Sequence, residues 1–103
     1  MDINVQELKL KLDNQEDFIF IDVREPHEFK EFNLGARLIP LGNIMTILED
    51  FADQKEDEIV LICRSGNRSG IAQQLLQASG FSNARNLTGG VLAWQEAFGK
   101  QRP

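Results

Sequence analysis

Compact apolar runs alternate along this chain with segments whose apolar residues recur at helical spacing. Asn4-Val5-Gln6-Glu7 predicts a helix start, with Asn4 as cap and Glu7 placed to close a capping box. Val5, Leu8 and Leu12 then fall on one helical face. Phe18-Ile19-Phe20-Ile21-Asp22-Val23 is rich in β-branched and aromatic residues and predicts a buried strand. Pro26 suits the first turn of a helix running through Phe29. Leu38-Ile39-Pro40 predicts a short strand closed by proline, and Ile44, Ile47, Leu48 and Phe51 predict a helix from Asn43 to about Ala52.

Glu58-Ile59-Val60-Leu61-Ile62 is the second strong strand, and it delivers the chain directly to Cys63. Ser69 to Ser79 reads as a helix with Ile71, Ala72, Leu75 and Leu76 facing inward and Gly80 as its stop. Arg85-Asn86-Leu87 predicts another short strand. A last helix starts near Gly90, carries Val91, Trp94 and Phe98, and ends at Gly99. Short strands alternating with helices imply an α/β fold around a small, mainly parallel sheet. Ligands of such sheets bind at the carboxyl ends of strands, which is where Cys63 stands.

With 103 residues, 42% of them hydrophobic, the chain is expected to form one domain over residues 1–103. Charged residues, 26% of the total, are spread along it, which argues against disorder. The net charge of -5 argues against nucleic-acid binding, which depends on clustered cations. Met1-Asp2-Ile3-Asn4 lacks the basic-then-apolar pattern of a signal peptide. No apolar run approaches the roughly 20 residues that cross a bilayer. A single cysteine cannot form an internal disulfide, so the expectation is a cytoplasmic protein with no membrane and no nucleic-acid partner.

The candidate chemistry lies in Cys63-Arg64-Ser65-Gly66-Asn67-Arg68-Ser69, between a buried strand and a helix. Cysteine is a good nucleophile only as thiolate. A helix start offers unpaired amides and partial positive charge, and Gly66 permits the tight turn that aims successive amides at one centre. Arg64 and Arg68 add permanent positive charge, so the Cys63 thiol is expected to have a lowered pKa. The plainer alternative is a small buried hydrophobe, the usual role of a free cysteine at a strand end. The six residues after Cys63 are polar, glycine or arginine, a poor setting for core packing.

At these residues the chain resembles the rhodanese family of single-domain sulfurtransferases. The resemblance takes in Asp22-Val23-Arg24-Glu25, Gly35-Ala36-Arg37-Leu38-Ile39-Pro40, the Cys63 loop, and Leu87-Thr88-Gly89-Gly90-Val91 with Trp94. One departure is visible: Glu31-Phe32-Asn33-Leu34 stands where many members carry Gly-His-Ile-Pro before the Gly-Ala pair. The resemblance implies a rhodanese-like sheet with helices on both faces and a two-step reaction needing no cofactor. Cys63 takes the outer sulfur of an anionic donor such as thiosulfate as a persulfide. A thiol, cyanide or a sulfur-carrier protein then removes it. Arg64, Ser65, Gly66, Asn67, Arg68 and Ser69 would form the substrate-binding cradle. One nucleophile with no resolving cysteine agrees with such a covalent intermediate.

A cysteine-based phosphatase or arsenate reductase is the rival enzyme. Such phosphatases carry five residues between cysteine and arginine, whereas four separate Cys63 from Arg68 here. A redox thiol switch would need a resolving thiol from elsewhere. A non-catalytic binding module is the rival from another class, but inactive rhodanese domains generally lack the cysteine.

Among other residues, His27 is the only histidine and is expected to be a solvated helix residue. Asp22, Arg24 and Glu25 share the rim with Cys63 and either secure the following turn, the preferred reading, or orient the loop arginines. Arg37 reads as a surface charge and Trp94 as core. Gly89-Gly90 reads as a turn whose backbone could approach the active-site rim. The Asp53-to-Glu58 cluster reads as a solvated connection, and no phosphate-binding P-loop or metal-ligand spacing occurs.

Overall fold

A computed structural model describes residues 1–101. In chain order the elements are α1 (Val5–Asp13), β1 (Ile19–Asp22), α2 (Pro26–Glu31), β2 (Arg37–Leu38), α3 (Ile47–Asp50), β3 (Ile59–Ile62), α4 (Asn67–Ala78), β4 (Ala84–Asn86) and α5 (Gly90–Phe98). The four strands make one parallel sheet, as the alternation of strands and helices predicts, and their order is β2-β1-β3-β4. Every residue of β3 is buried, which explains why its sequence is continuously apolar rather than alternating.

Alternation along the strand divides that burial between two layers. Ile59 and Leu61 of β3 pack with Ile44, Ile47, Ala72 and Leu76 on one face. Val60 and Ile62 pack with Val5, Leu8, Val91 and Trp94 on the other. Helices therefore cover both faces. α1 begins at the expected capping box, where the Glu7 amide donates to Asn4 Oδ1 at 2.8 Å. Trp94 is fully buried and meets Phe98 edge-on.

Three expectations need correction. The segment from Asn43 to Ala52 is not one helix: a 3-10 turn covers Leu41–Thr46, and α3 follows it for one turn. With three residues per 3-10 turn, Ile44 and Ile47 still reach the core together, so the apolar spacing suits either winding. On α4, Ala72 and Leu76 point inward, but Ile71 and Leu75 are 50% and 41% exposed. Ser69, Ala72 and Leu76 already occupy the stripe against the sheet, and Ile71 and Leu75 lie beside it. Glu58 is not part of a solvated connection. It is half-buried at the start of β3, bonded to Lys11 at 2.8 Å and also paired with Arg85.

The register places the site. Asp22, the last residue of β1, pairs with Ile62, the last of β3, so the residues after both strands meet at one rim. On the other side Leu61 pairs with Asn86, which brings the end of β4 to the same rim.

Candidate active site

Cys63 is the first residue beyond β3, and it is 1% exposed. The chain turns sharply at Gly66, whose φ of 101° lies in the left-handed region that side chains resist. This turn sends the Gly66 amide back toward the cysteine, where it donates to Sγ at 3.1 Å. α4 begins at Asn67, so Ser69 lies in its first turn, and its buried hydroxyl stands 3.3 Å from the same sulfur.

These contacts decide the state of the thiol. Burial pushes the Cys63 thiol up, but the Ser69 hydroxyl and the amides of Ser69, Gly66 and Ser65 pull it down. The net direction is below the ordinary thiol value. The expected direction therefore holds, with hydrogen-bond donors at a helix start as its chief physical cause.

The two arginines are placed differently from each other. Arg68 reaches away to α2, where Nη1 and Nη2 donate to Glu28 Oε1 and Oε2 at 2.7 and 2.8 Å. That pair holds the Glu28 carboxyl down at about 2. The permanent charge that Arg68 brings beside the loop is thus held in an ion pair with Glu28. Arg64 is exposed and lines a shallow pocket with Arg24, Glu28, Phe32 and Leu92. Ser65 and Asn67 are exposed beside it.

Asp22 and Arg24 form a buried ion pair, with Arg24 Nε and Nη2 on the two carboxylate oxygens at 3.0 and 2.8 Å. Arg24 also donates to the Phe32 carbonyl at 2.7 Å, so the pair fastens the turn from β1 into α2. The preferred reading of these residues as structural therefore agrees with the geometry. Glu25 precedes α2, where its amide donates to Glu28 Oε1 at 3.1 Å, and His27 is exposed.

Gly89 and Gly90 approach the rim more closely than a turn requires. The Val91 and Leu92 amides, at the start of α5, donate to the Cys63 and Arg64 carbonyls at 2.9 and 3.0 Å. A Cβ on Gly90 would overlap both of those carbonyl groups. The first turn of α5 thus holds the outer side of the cysteine loop, with its carbonyls facing α5 and its amides facing the sulfur.

Sequence reasoning missed two further residues. Glu28, 40 positions from Arg68, carries no local sign of that partner. Asn86 bridges the loop from the next strand: Nδ2 donates to the Gly66 carbonyl at 3.1 Å, and Oδ1 faces the Ser69 hydroxyl at 2.5 Å. A polar residue closing a strand at the carboxyl rim was the available signal for Asn86.

Comparison with known proteins bears on what this arrangement does. The family described as the Rhodanese-like domain matches residues 4–97. A putative mitochondrial thiosulfate sulfurtransferase of Schizosaccharomyces pombe is 36% identical over 90 residues, covering 76% of this chain and 63% of that protein. A crystal structure of a rhodanese-like domain protein from Staphylococcus aureus is 33% identical, with a TM-score of 0.81 and 91% of each chain covered. The human single-domain sulfurtransferase TSTD1 is 26% identical, with a TM-score of 0.79, and the match covers 92% of this chain and 95% of that one. The chain spans less than two thirds of the length of the curated relatives it matches.

Proposed function

The chain belongs to the rhodanese-like domain family, and on that premise we propose that Cys63 carries sulfane sulfur as a persulfide between an anionic donor such as thiosulfate and a nucleophilic acceptor. The observation that carries this reading is the Cys63 sulfur itself, held at a helix start by the Gly66 amide and the Ser69 hydroxyl. A negative sulfur is favoured there, and a second sulfur attached to it would lie at the same amide-lined turn.

In the first step the Cys63 thiolate attacks the outer sulfur of thiosulfate. The bond between the two donor sulfurs breaks, sulfite leaves with the electron pair, and Cys63 holds a persulfide. In the second step cyanide or a thiol, free or carried on a sulfur-carrier protein, attacks the outer sulfur, and the Cys63 thiolate departs. The loop from Arg64 to Ser69 is the cradle for donor and persulfide. Arg64 supplies its exposed charge, and Arg68 contributes as the Glu28-held pair. The reading treats residues 1–103 as one domain that needs no cofactor. A cytoplasmic, reducing setting suits a reaction that keeps its one thiol free.

The test is intact mass after incubation with thiosulfate, for the wild type and Cys63→Ser. A reducible gain of one sulfur atom is expected in the wild type alone, with thiocyanate formed on adding cyanide. A wild type that gains no mass and forms no thiocyanate defeats the reading. Turnover of an aryl phosphate in its place would favour the phosphatase alternative.

A further inference from the structure

The Ser69 hydroxyl has one proton and two acceptors within reach. Cys63 Sγ lies 3.3 Å from its oxygen and Asn86 Oδ1 lies 2.5 Å away. A hydroxyl donates one hydrogen at a time, so the two bonds are alternatives. Asn86 cannot turn aside to resolve the competition. Its Nδ2 is committed to the Gly66 carbonyl at 3.1 Å, which leaves Oδ1 facing Ser69. Its backbone is fixed as well: Asn86 pairs with Leu61 in the sheet, and its carbonyl accepts from the Ile3 amide at 3.0 Å.

We propose that Asn86 is a positioning residue that acts on Cys63 through Ser69: its Oδ1 accepts the Ser69 hydroxyl hydrogen bond while the sulfur is uncharged and gives it up when negative charge returns to Sγ. Within the sulfur-transfer reading, on which this inference rests, the charge on Sγ alternates during each cycle. The thiolate that attacks the donor carries it. In the persulfide, Sγ is bonded to a second sulfur, and the charge moves outward to the turn amides. Ser69 then donates to Asn86. When an acceptor removes the outer sulfur, Sγ leaves as a thiolate, and the hydroxyl swings back to it. No bond forms or breaks at Ser69; its O–H only rotates between two acceptors. Donors aimed at a charge as it develops act on the transition state more than on the ground state. Among the described residues, the charged groups around this rim include the Arg68–Glu28 pair between α4 and α2, the Asp22–Arg24 pair after β1, exposed Arg64 and Glu25, and Glu31 on the pocket wall.

The experiment is the pH titration of Cys63 in the resting protein, by ultraviolet thiolate absorbance and iodoacetamide alkylation rate. It compares wild type, Asn86→Ala, Ser69→Ala and the double variant. Freed from Asn86, Ser69 stays on the sulfur, so Asn86→Ala lowers the Cys63 pKa by about 0.5 unit or more. Ser69→Ala raises it, and adding Asn86→Ala to that background changes nothing further. A residue that merely braced the loop would give the opposite sign, since a looser turn weakens the Gly66 amide contact. An Asn86→Ala variant with an unchanged or raised pKa overturns the proposal, as does an equal shift in both backgrounds. If thermal melting shows that Asn86→Ala is unfolded, Asn86→Asp takes its place. Its carboxylate retains the Ser69 proton and raises the Cys63 pKa, by clearly less when Ser69 is absent. A fall, or a rise equally large without Ser69, overturns the proposal. No donor is present in this titration, so its outcome is separate from that of the thiosulfate mass gain.

Discussion

Glu28 holds Arg68 through both carboxylate oxygens, at 2.7 and 2.8 Å, across 40 positions of sequence. The pair ties α2 to the first turn of α4 and sets the charge beside the cysteine loop. It also neutralises one of the two arginines that the sequence places near Cys63.

Replacing Glu28 with Gln is expected to act on stability and on donor binding. Its carboxyl is lowered from 4.5 to about 2, chiefly by the Arg68 hydrogen bonds. A lowered carboxyl stabilises the fold fully above the unfolded value and loses that contribution as pH falls through the folded one. The gap between wild type and Glu28→Gln in urea unfolding should therefore be full at pH 7 and close between about 4.5 and about 2. Its size should be about 1 kcal/mol or less, because both side chains are partly exposed. With the neighbouring negative charge gone, KM for thiosulfate should fall severalfold at low salt and return at high salt. An unchanged KM would remove Arg68 from donor binding.

Gly90→Ala should disable the site more than it harms the fold. The new Cβ meets the Cys63 and Arg64 carbonyls, and the backbone φ is 61°. Relief requires moving either the cysteine loop or the start of α5, at a cost of about 2–3 kcal/mol. Gly35→Ala is the control: its φ of 86° also lies in the left-handed range that side chains resist, but its Cβ meets nothing within 4 Å. Thermal melts and thiocyanate formation should show both variants destabilised but only Gly90→Ala depleted in activity. Equal activity in the two would separate α5 from the loop's function.

Arg24→Ala leaves the fully buried Asp22 without its charged partner: three side-chain hydrogen bonds from Arg24 to its carboxylate are lost, and only the bond from the residue 24 amide remains. Breaking a buried pair from one side costs about 3–5 kcal/mol. Urea unfolding at neutral pH should show that loss. A loss below about 1 kcal/mol would mean that water reaches Asp22.

The alkylation rate of Cys63 should follow a midpoint below the ordinary 9.0. Thiolate is the reactive form, so the rate rises with pH and levels off above the midpoint. Because the lowering comes mainly from hydrogen bonds of Ser69, Gly66 and Ser65, added salt should move the midpoint by less than about 0.3 unit. A larger upward move with salt would assign the effect to Arg64 and Arg68 instead. A depressed thiol also links to folding: its stabilising contribution grows as pH rises through the folded midpoint and is complete above 9.0.

Much of this was legible along the chain, because much of it is local. The β3 run, the Cys63 turn and the α4 start are consecutive, and the donors that bend toward the sulfur come from Ser65, Gly66 and Ser69. The Asn4–Glu7 capping box and the buried Trp94 follow from short-range spacing in the same way. Two local readings failed because apolar spacing is ambiguous. Ile44 and Ile47 serve a 3-10 turn as well as a helix, and Ile71 and Leu75 lie beside the buried stripe of α4.

The sequence alone determined an α/β chain whose one cysteine stands at a strand end and a helix start. Those features depend on neighbours a few residues apart, and local backbone preferences are enough to produce them. Only the tertiary structure decided what surrounds that cysteine. The order β2-β1-β3-β4 brings Glu28 to Arg68, Asn86 to Ser69, and the start of α5 to the Cys63 carbonyl. No local pattern encodes those meetings, because each depends on which strands are neighbours and in what register they pair.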